Sequence, residues 1–261
     1  MPNFRKYGTQ PYNVALIHGG PGGAGEMAPV ATHLSKNIGV LEPLQTEFSF
    51  AGQLEELKAV LEEQAQLPII LIGYSYGSWL SYVFTSLYPT FVKKLILLSS
   101  GVFEERYAAE IMNTRLKRMG PKDRATIEKL LKQFNDPQIT NKDEVFAQIG
   151  ELDSRADSYD PLPFENEHLE ISHEIYEKVW KEVHTLRING ELLDYGNSIK
   201  CPVVAIHGDY DPHPTDGVQI PLSRTLKDFR FILLEKCGHH PWFERQAKDN
   251  FYKVLEKEIK S

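Results

Sequence analysis

The sequence predicts an α/β fold: a mostly parallel sheet of about six strands, flanked by helices and interrupted by one long helical segment. Short apolar runs bounded by turn residues recur along the chain, with amphipathic helical patterns between several of them. The runs are continuous rather than alternating, the pattern expected of parallel strands covered on both faces. Between about residues 103 and 198 this rhythm stops and only helical spacing remains.

The first run, YNVALIHG (12–19), leads into the glycine-rich stretch HGGPGG (18–23) and then a short helix near 29–34. IGVLEPL (38–44) reads as the second strand. In SFAGQLEELKAVLEEQ (49–64), Leu54, Leu57, Val60 and Leu61 recur at helical spacing, and Ser49 is placed to cap that helix. PIILIG (68–73) is the clearest strand, and the helix behind it puts Trp79, Leu80, Val83, Phe84 and Leu87 on one stripe before Pro89 ends it. KKLILLSSG (93–101) is a further buried strand. Helical patterns then follow, separated by GPKD, NDPQ and DPLPFENE, with no convincing buried strand until CPVVAIHGDYDP (201–212) and FRFILLEKCGHHPW (229–242). The C-terminal ERQAKDNFYKVLEKEIK closes the chain as a helix. These boundaries divide the chain into a core of residues 1–102 and 199–261 and an inserted helical cap of residues 103–198.

Composition narrows the function. The 261 residues carry 29 lysines and arginines against 36 acidic residues, a net charge of −7, with no dense basic patch to follow a phosphate backbone. Nucleic acid is therefore not an expected partner. The apolar stretch near the N-terminus, Val14 to Ile17, is too short for a secretion signal, and no run approaches the roughly 18 apolar residues of a membrane span. The expectation is a cytoplasmic protein with no membrane partner. Cys201 starts one parallel strand and Cys237 finishes the next, so at about 3.3 Å per residue they should stand well beyond the 7 Å reach of a disulfide.

The chemistry begins at Gly73-Tyr74-Ser75-Tyr76-Gly77, where a buried strand must turn sharply into a helix. Two glycines there leave room for a tight bend against neighbouring elements. The bend would present the Ser75 hydroxyl at the carboxyl edge of the sheet, beside free amides at a helix N-terminus that favour developing negative charge. A serine hydroxyl needs a base to take its proton and an acid to orient that base. Two later strands run out at the same edge, one into Asp209-Tyr210-Asp211-Pro212 and the other into Gly238-His239-His240. His207, Asp209, Asp211 and His213 also alternate as metal-type ligands would on one strand face, but Gly208, Pro212 and Pro214 break the strand where such a site needs it to continue.

The order serine, acid, histidine, with HGGPGG, GYSYG, HGDYDP and GHHPWFE in sequence, resembles the α/β-hydrolase superfamily over nearly the whole chain. The glycine stretch is most similar to its proline iminopeptidase branch. The resemblance implies Ser75 as nucleophile, His239 as general base and then acid, and Asp211 as the orienting acid. Asp209 and then Asp216 are alternatives for the acid, and His240 is an alternative for the base. It also implies an oxyanion hole from the backbone amides of Gly20 and Tyr76, with His18 structural, and no metal or cofactor. The expected partner is a small-molecule or short peptide substrate, cleaved at an ester or amide.

Two departures from the resemblance stand out. Only about a dozen residues precede the first glycine loop, which suggests a trimmed sheet. EPLQTEFSF stands where proline iminopeptidases carry an Asp-x-Arg-Gly-x-Gly-x-Ser stretch. An aminopeptidase also needs carboxylates to hold a substrate ammonium; the inserted segment offers Glu104, Glu105, Glu165, Glu167 and Glu170, none singled out by position. A ligand receptor with little turnover is the rival reading from another class, since fold alone does not fix function.

Overall fold

The computed structural model describes residues 3–163 and 166–261. Its main sheet is built from β1 (Phe4–Tyr7), β2 (Tyr12–Ile17), β4 (Gly39–Pro43), β5 (Ile69–Tyr74), β6 (Val92–Leu98), β8 (Val203–Gly208) and β9 (Phe229–Leu234), with β3 (Gly23–Ala24) and β7 (Glu170–Ile171) forming a separate two-stranded ladder. The seven strands lie in the order β1-β4-β2-β5-β6-β8-β9, and every pairing is parallel except β1 with β4.

The sheet thus has one strand more than the six expected. The additional strand, β1, is four residues long, half-exposed, and carries Arg5 and Lys6. A short edge strand that is only partly covered has no need of a continuous apolar run, so nothing in its composition announces it.

The continuous apolar runs divide their side chains between two cores. Ala15, Ile17, Leu71, Leu95, Leu97 and Ala205 face one side, against α2 (Phe50–Gln64) and α3 (Tyr76–Leu87). Their neighbours Val14, Leu16, Ile70, Ile72, Ile96, Leu98 and Ile206 face the other, against α1 (Ala28–Leu34) and α10 (Lys248–Lys260). Helix α2 begins as its sequence predicts: the Ser49 hydroxyl accepts the Gly52 amide at 3.0 Å. On the same side of the sheet as α2 lies α9 (Asp216–Thr225), whose Val218 and Leu222 join that core.

Between β6 and β8 run α4 (Ala109–Arg118), α5 (Pro121–Phe134), α6 (Lys142–Asp157), α7 (His173–Ile188) and α8 (Glu191–Asp194). The first three enclose a small core of their own, with Ile127, Leu130, Val145 and Leu152 at its centre. Val179 and Val183 of α7 and Leu192 of α8 instead join the main core beside Trp79. Within this segment β7 pairs antiparallel with β3 in the glycine loop and adds nothing to the main sheet. Cys201 and Cys237 are both free thiols. Among the described residues no helix is long and apolar enough to cross a membrane.

After β2 the chain moves outward to β4 and then returns to β5 on the other side of β2. Loops after β2 and β5 therefore diverge at one edge of the sheet, the position where open α/β sheets form their crevice.

Burial predicts a sharp contrast between two leucines. Leu97→Ala in the central β6, where the side chain is fully buried, should lower the unfolding free energy by about 2–5 kcal/mol in a denaturant titration. Leu233→Ala in the edge strand β9, 49% exposed, should stay within about 0.5 kcal/mol of the parent.

Candidate active site

The turn between β5 and α3 is the tightest feature of the crevice. Ser75 sits at φ +50°, ψ −116°, a conformation that costs a non-glycine residue about 1–3 kcal/mol. Its amide still extends the ladder by donating to Leu98 O at 3.0 Å, so the strain is imposed between a fixed strand and a fixed helix. The flanking glycines are required by contact. A Cβ on Gly73 would lie 2.2 Å from Gly77 O, and one on Gly77 would lie 2.3 Å from His18 O. From Ile69 to Thr85 every residue is buried except Ser75, which is the one group the turn exposes.

The structure brings Ser75, His239 and Asp211 together. His239 Nε2 lies 3.0 Å from Ser75 Oγ, and His239 Nδ1 lies 2.7 Å from Asp211 Oδ2. Asp211 rather than Asp209 meets the ring because the chain bends at Gly208, packed so closely on Cys237 O that a Cβ there would lie 2.1 Å away. Asp209 turns instead to accept the Cys237 amide at 3.1 Å, bracing the histidine loop, and Asp216 is exposed at the start of α9. His240 points toward Glu26, 3.5 Å away, so the base position falls to its neighbour.

Burial alone would raise the Asp211 carboxyl, but the charges of His239, His207 and His213 hold it well below the usual carboxylate range. Burial pulls His239 down, and the adjacent Asp211 carboxylate more than offsets this, leaving the imidazole above its ordinary value of 6.5. The ionised carboxylate is an acceptor only, which places the neutral ring's proton on Nδ1 and leaves Nε2 free to face the serine.

Gly20, at φ +31°, has open space where a side chain would stand, and Tyr76 opens α3. Among the described residues neither amide donates to a protein acceptor. His18 braces this loop from beneath: its ring nitrogens lie 2.6 Å from Gly19 O and 2.9 Å from Leu44 O. Leu44 belongs to EPLQTEFSF, and the same stretch holds Gln53 through Glu47 O at 3.0 Å. Gln53 in turn accepts the Tyr76 hydroxyl at 2.7 Å, so the rebuilt segment fixes both sides of the crevice.

The segment between β6 and β8 reaches this site directly. Asp157 O, at the end of α6, accepts the His239 amide at 3.0 Å. Asp157 is gripped by Arg115 through two bonds of 2.8 and 2.6 Å, and Arg115 also holds Asp153 at 2.9 Å. Buried Glu244 accepts the amides of Gly238, Tyr159 and Asp160 at 2.8–2.9 Å, tying the histidine loop to the same segment. Of the glutamates considered for an ammonium, Glu104 pairs with Arg106 and Arg224, Glu105 with Arg187, and Glu170 with Arg5. Glu167 is exposed, and Glu165 lies outside the described residues.

Besides Asp211, the acidic groups near His239 are Asp153 and Asp157, which no sequence motif marks. Their spacing of four on α6 was the available signal, but it also describes an ordinary solvated helix face. The alternating His207, Asp209, Asp211 and His213, whose strand Gly208, Pro212 and Pro214 already interrupt in the sequence, do not share one face, and Asp209 instead accepts the Cys237 amide. Asp211, His213 and His239 do place ligand-type atoms within 4.8 Å of one another, but the two histidines already hydrogen-bond the Asp211 carboxylate.

Comparison with known proteins agrees with the architecture. The alpha/beta hydrolase fold family matches residues 12–246. A proline iminopeptidase of Saccharolobus solfataricus is 23% identical over 268 residues, covering 95% of this chain and 84% of the relative. Among solved structures, VinJ superposes with a TM-score of 0.67 at 18% identity, over 98% of this chain and 94% of its own. The 2-hydroxy-6-oxo-6-phenylhexa-2,4-dienoate hydrolase of Rhodococcus sp. strain RHA1 does so at 0.63 and 16% identity, over 95% and 90%.

Gly77→Ala should abolish soluble expression or lower the melting temperature markedly, since the new methyl would meet the backbone carbonyls of Ile17 and His18. Gly150→Ala, in open space within α6, should leave the unfolding free energy unchanged or raise it, by about 1 kcal/mol at most.

Proposed function

The chain belongs to the α/β-hydrolase fold family, and on that premise we propose that it is a serine hydrolase cleaving a small ester or amide through an acyl-enzyme on Ser75. The observation carrying this reading is the continuous relay from Ser75 Oγ through His239 to Asp211, at 3.0 and 2.7 Å. His239 Nε2 takes the serine proton as Oγ attacks the substrate carbonyl. The Tyr76 and Gly20 amides, fixed before charge appears, receive the oxyanion. His239 then gives its proton to the leaving alcohol or amine as the scissile bond breaks, and afterwards activates water to release the acid. Residues 103–198 act as a cap, fastened to the histidine loop by Asp157 and Glu244 and to the glycine loop by the β3–β7 ladder.

A second reading, proline iminopeptidase activity, has one specific support beyond the curated relative. Asp153 and Asp157 set two carboxylates against one Arg115 guanidinium, and Asp153 Oδ1 is buried without a partner. Burial pushes Asp153 up to about 6, Arg115 opposing and Asp157 adding to the shift, so a cation brought beside it would favour its ionised form. Such a carboxylate suits a substrate ammonium.

A panel of p-nitrophenyl esters and amino-acid arylamides separates these readings. Ser75→Ala should lose at least about 10³-fold in turnover on any productive substrate. Retention of wild-type rates by Ser75→Ala would refute the serine mechanism, and saturable ligand binding without turnover would favour a receptor. Proline arylamides outpacing acetate esters, with Asp153→Asn raising KM for free-amine substrates only, would establish the iminopeptidase reading.

The pH profile follows from His239. Only the neutral ring can accept the serine proton, and its protonation is favoured beyond that of an ordinary histidine. Activity should therefore rise with pH, with the acid limb of kcat/KM centred above 6.5. A limb centred below that value would contradict the assigned environment.

A further inference from the structure

Asp211 is held by more than one histidine. Its Oδ1 accepts the His213 amide at 2.9 Å and faces His213 Nδ1 at 2.8 Å, while Oδ2 faces His239 at 2.7 Å. The His213 and His239 rings lie stacked at 27°, centroids 4.6 Å apart. His213 is itself anchored, because its carbonyl is 2.8 Å from His207 Nε2 at the end of β8. Its side chain is only 14% exposed, and that of Asp211 is fully buried.

We propose that His213 is a positioning residue of this site, fixing the plane of the Asp211 carboxylate through its Nδ1–H and the plane of the His239 ring by stacking. The inference rests on the reading of Ser75, His239 and Asp211 as the catalytic relay. A carboxylate bonded through one oxygen alone can rotate about its Cβ–Cγ bond, and every such rotation swings the imidazole away from Ser75 Oγ. Two donors from the residue two places on close a compact ring around Oδ1 and remove that freedom. The backbone donor would persist in any His213 variant, so the ring supplies the part that substitution can remove.

The ring also divides the carboxylate's charge. His207 Nε2 also lies 3.6 Å from Asp211 Oδ2, but only His213 and His239 hydrogen-bond the ionised carboxylate, and their roles are unequal. Burial disfavours a proton on His213, with Asp211 opposing, whereas Asp211 favours one on His239. His213 thus serves as the neutral donor while His239 cycles. Other groups facing His239 are Tyr74 from β5, Asp153 and Asp157 from α6, Arg115 from α4, and its neighbour His240. None of these bonds Asp211. Without the His213 donor more of the carboxylate's charge falls on His239, so the protonated base is favoured and the acid limb moves to higher pH.

The test compares wild type, His213→Ala, His213→Asn and Ser75→Ala on the best substrate of the panel, over the full pH range. Asn can restore a donor near Nδ1. The inference expects His213→Ala to lower kcat about tenfold or more with KM within about twofold, and to move the acid limb upward. His213→Asn should recover most of kcat and return the limb toward wild type. Unchanged kcat and limb in His213→Ala would overturn it, as would an activity loss that leaves the limb in place and is not rescued by Asn. Wild-type turnover by Ser75→Ala would instead remove the underlying relay, and the role of His213 with it.

Discussion

The bend at Ser75 is the constraint around which the crevice is arranged. A serine at φ +50° persists only where its surroundings over-determine it, and here β5 is locked by β2 and β6 while α3 is locked by the main core. Gly73 and Gly77 are the backbone's concession to that bend, since any side chain would strike carbonyl oxygens. The result is one partly exposed hydroxyl in an otherwise buried stretch, delivered where two other loops converge.

Those loops are held by contacts that have no local sequence signal. Asp209, an alternative candidate for the acid, turns out to brace the histidine loop through the Cys237 amide. Glu244 collects the amides of Gly238 and of the distant Tyr159 and Asp160, and Asp157 O holds the His239 amide. The segment between β6 and β8 is therefore part of the frame of the site. EPLQTEFSF is likewise a bracing element, reaching His18 through Leu44 and Tyr76 through Gln53.

Legibility in the sequence tracked how much each residue's role depends on its own neighbours. β2, β5, β6 and β8 were visible because strands covered on both faces must be apolar throughout. β1 was not, because Phe4–Tyr7 is a short half-exposed edge. The meeting of Ser75, Asp211 and His239 could be anticipated, since each lies just beyond a recognisable strand end. His213, Asp153 and Asp157 could not, because their significance arises only when α4, α6 and the loop after β8 are folded against one another. Alternation of His207, Asp209, Asp211 and His213 is discounted by the sequence itself, since Gly208, Pro212 and Pro214 interrupt the strand, and the folded chain turns Asp209 to the Cys237 amide.

The central claim is that Ser75 is a nucleophile activated by His239. Incubation of the protein with a fluorophosphonate, followed by intact-mass measurement and peptide mapping, tests it most directly. The expected result is a single stoichiometric adduct on Ser75 that forms far more slowly in His239→Ala. An unmodified Ser75, or an adduct forming as fast without His239, would contradict it.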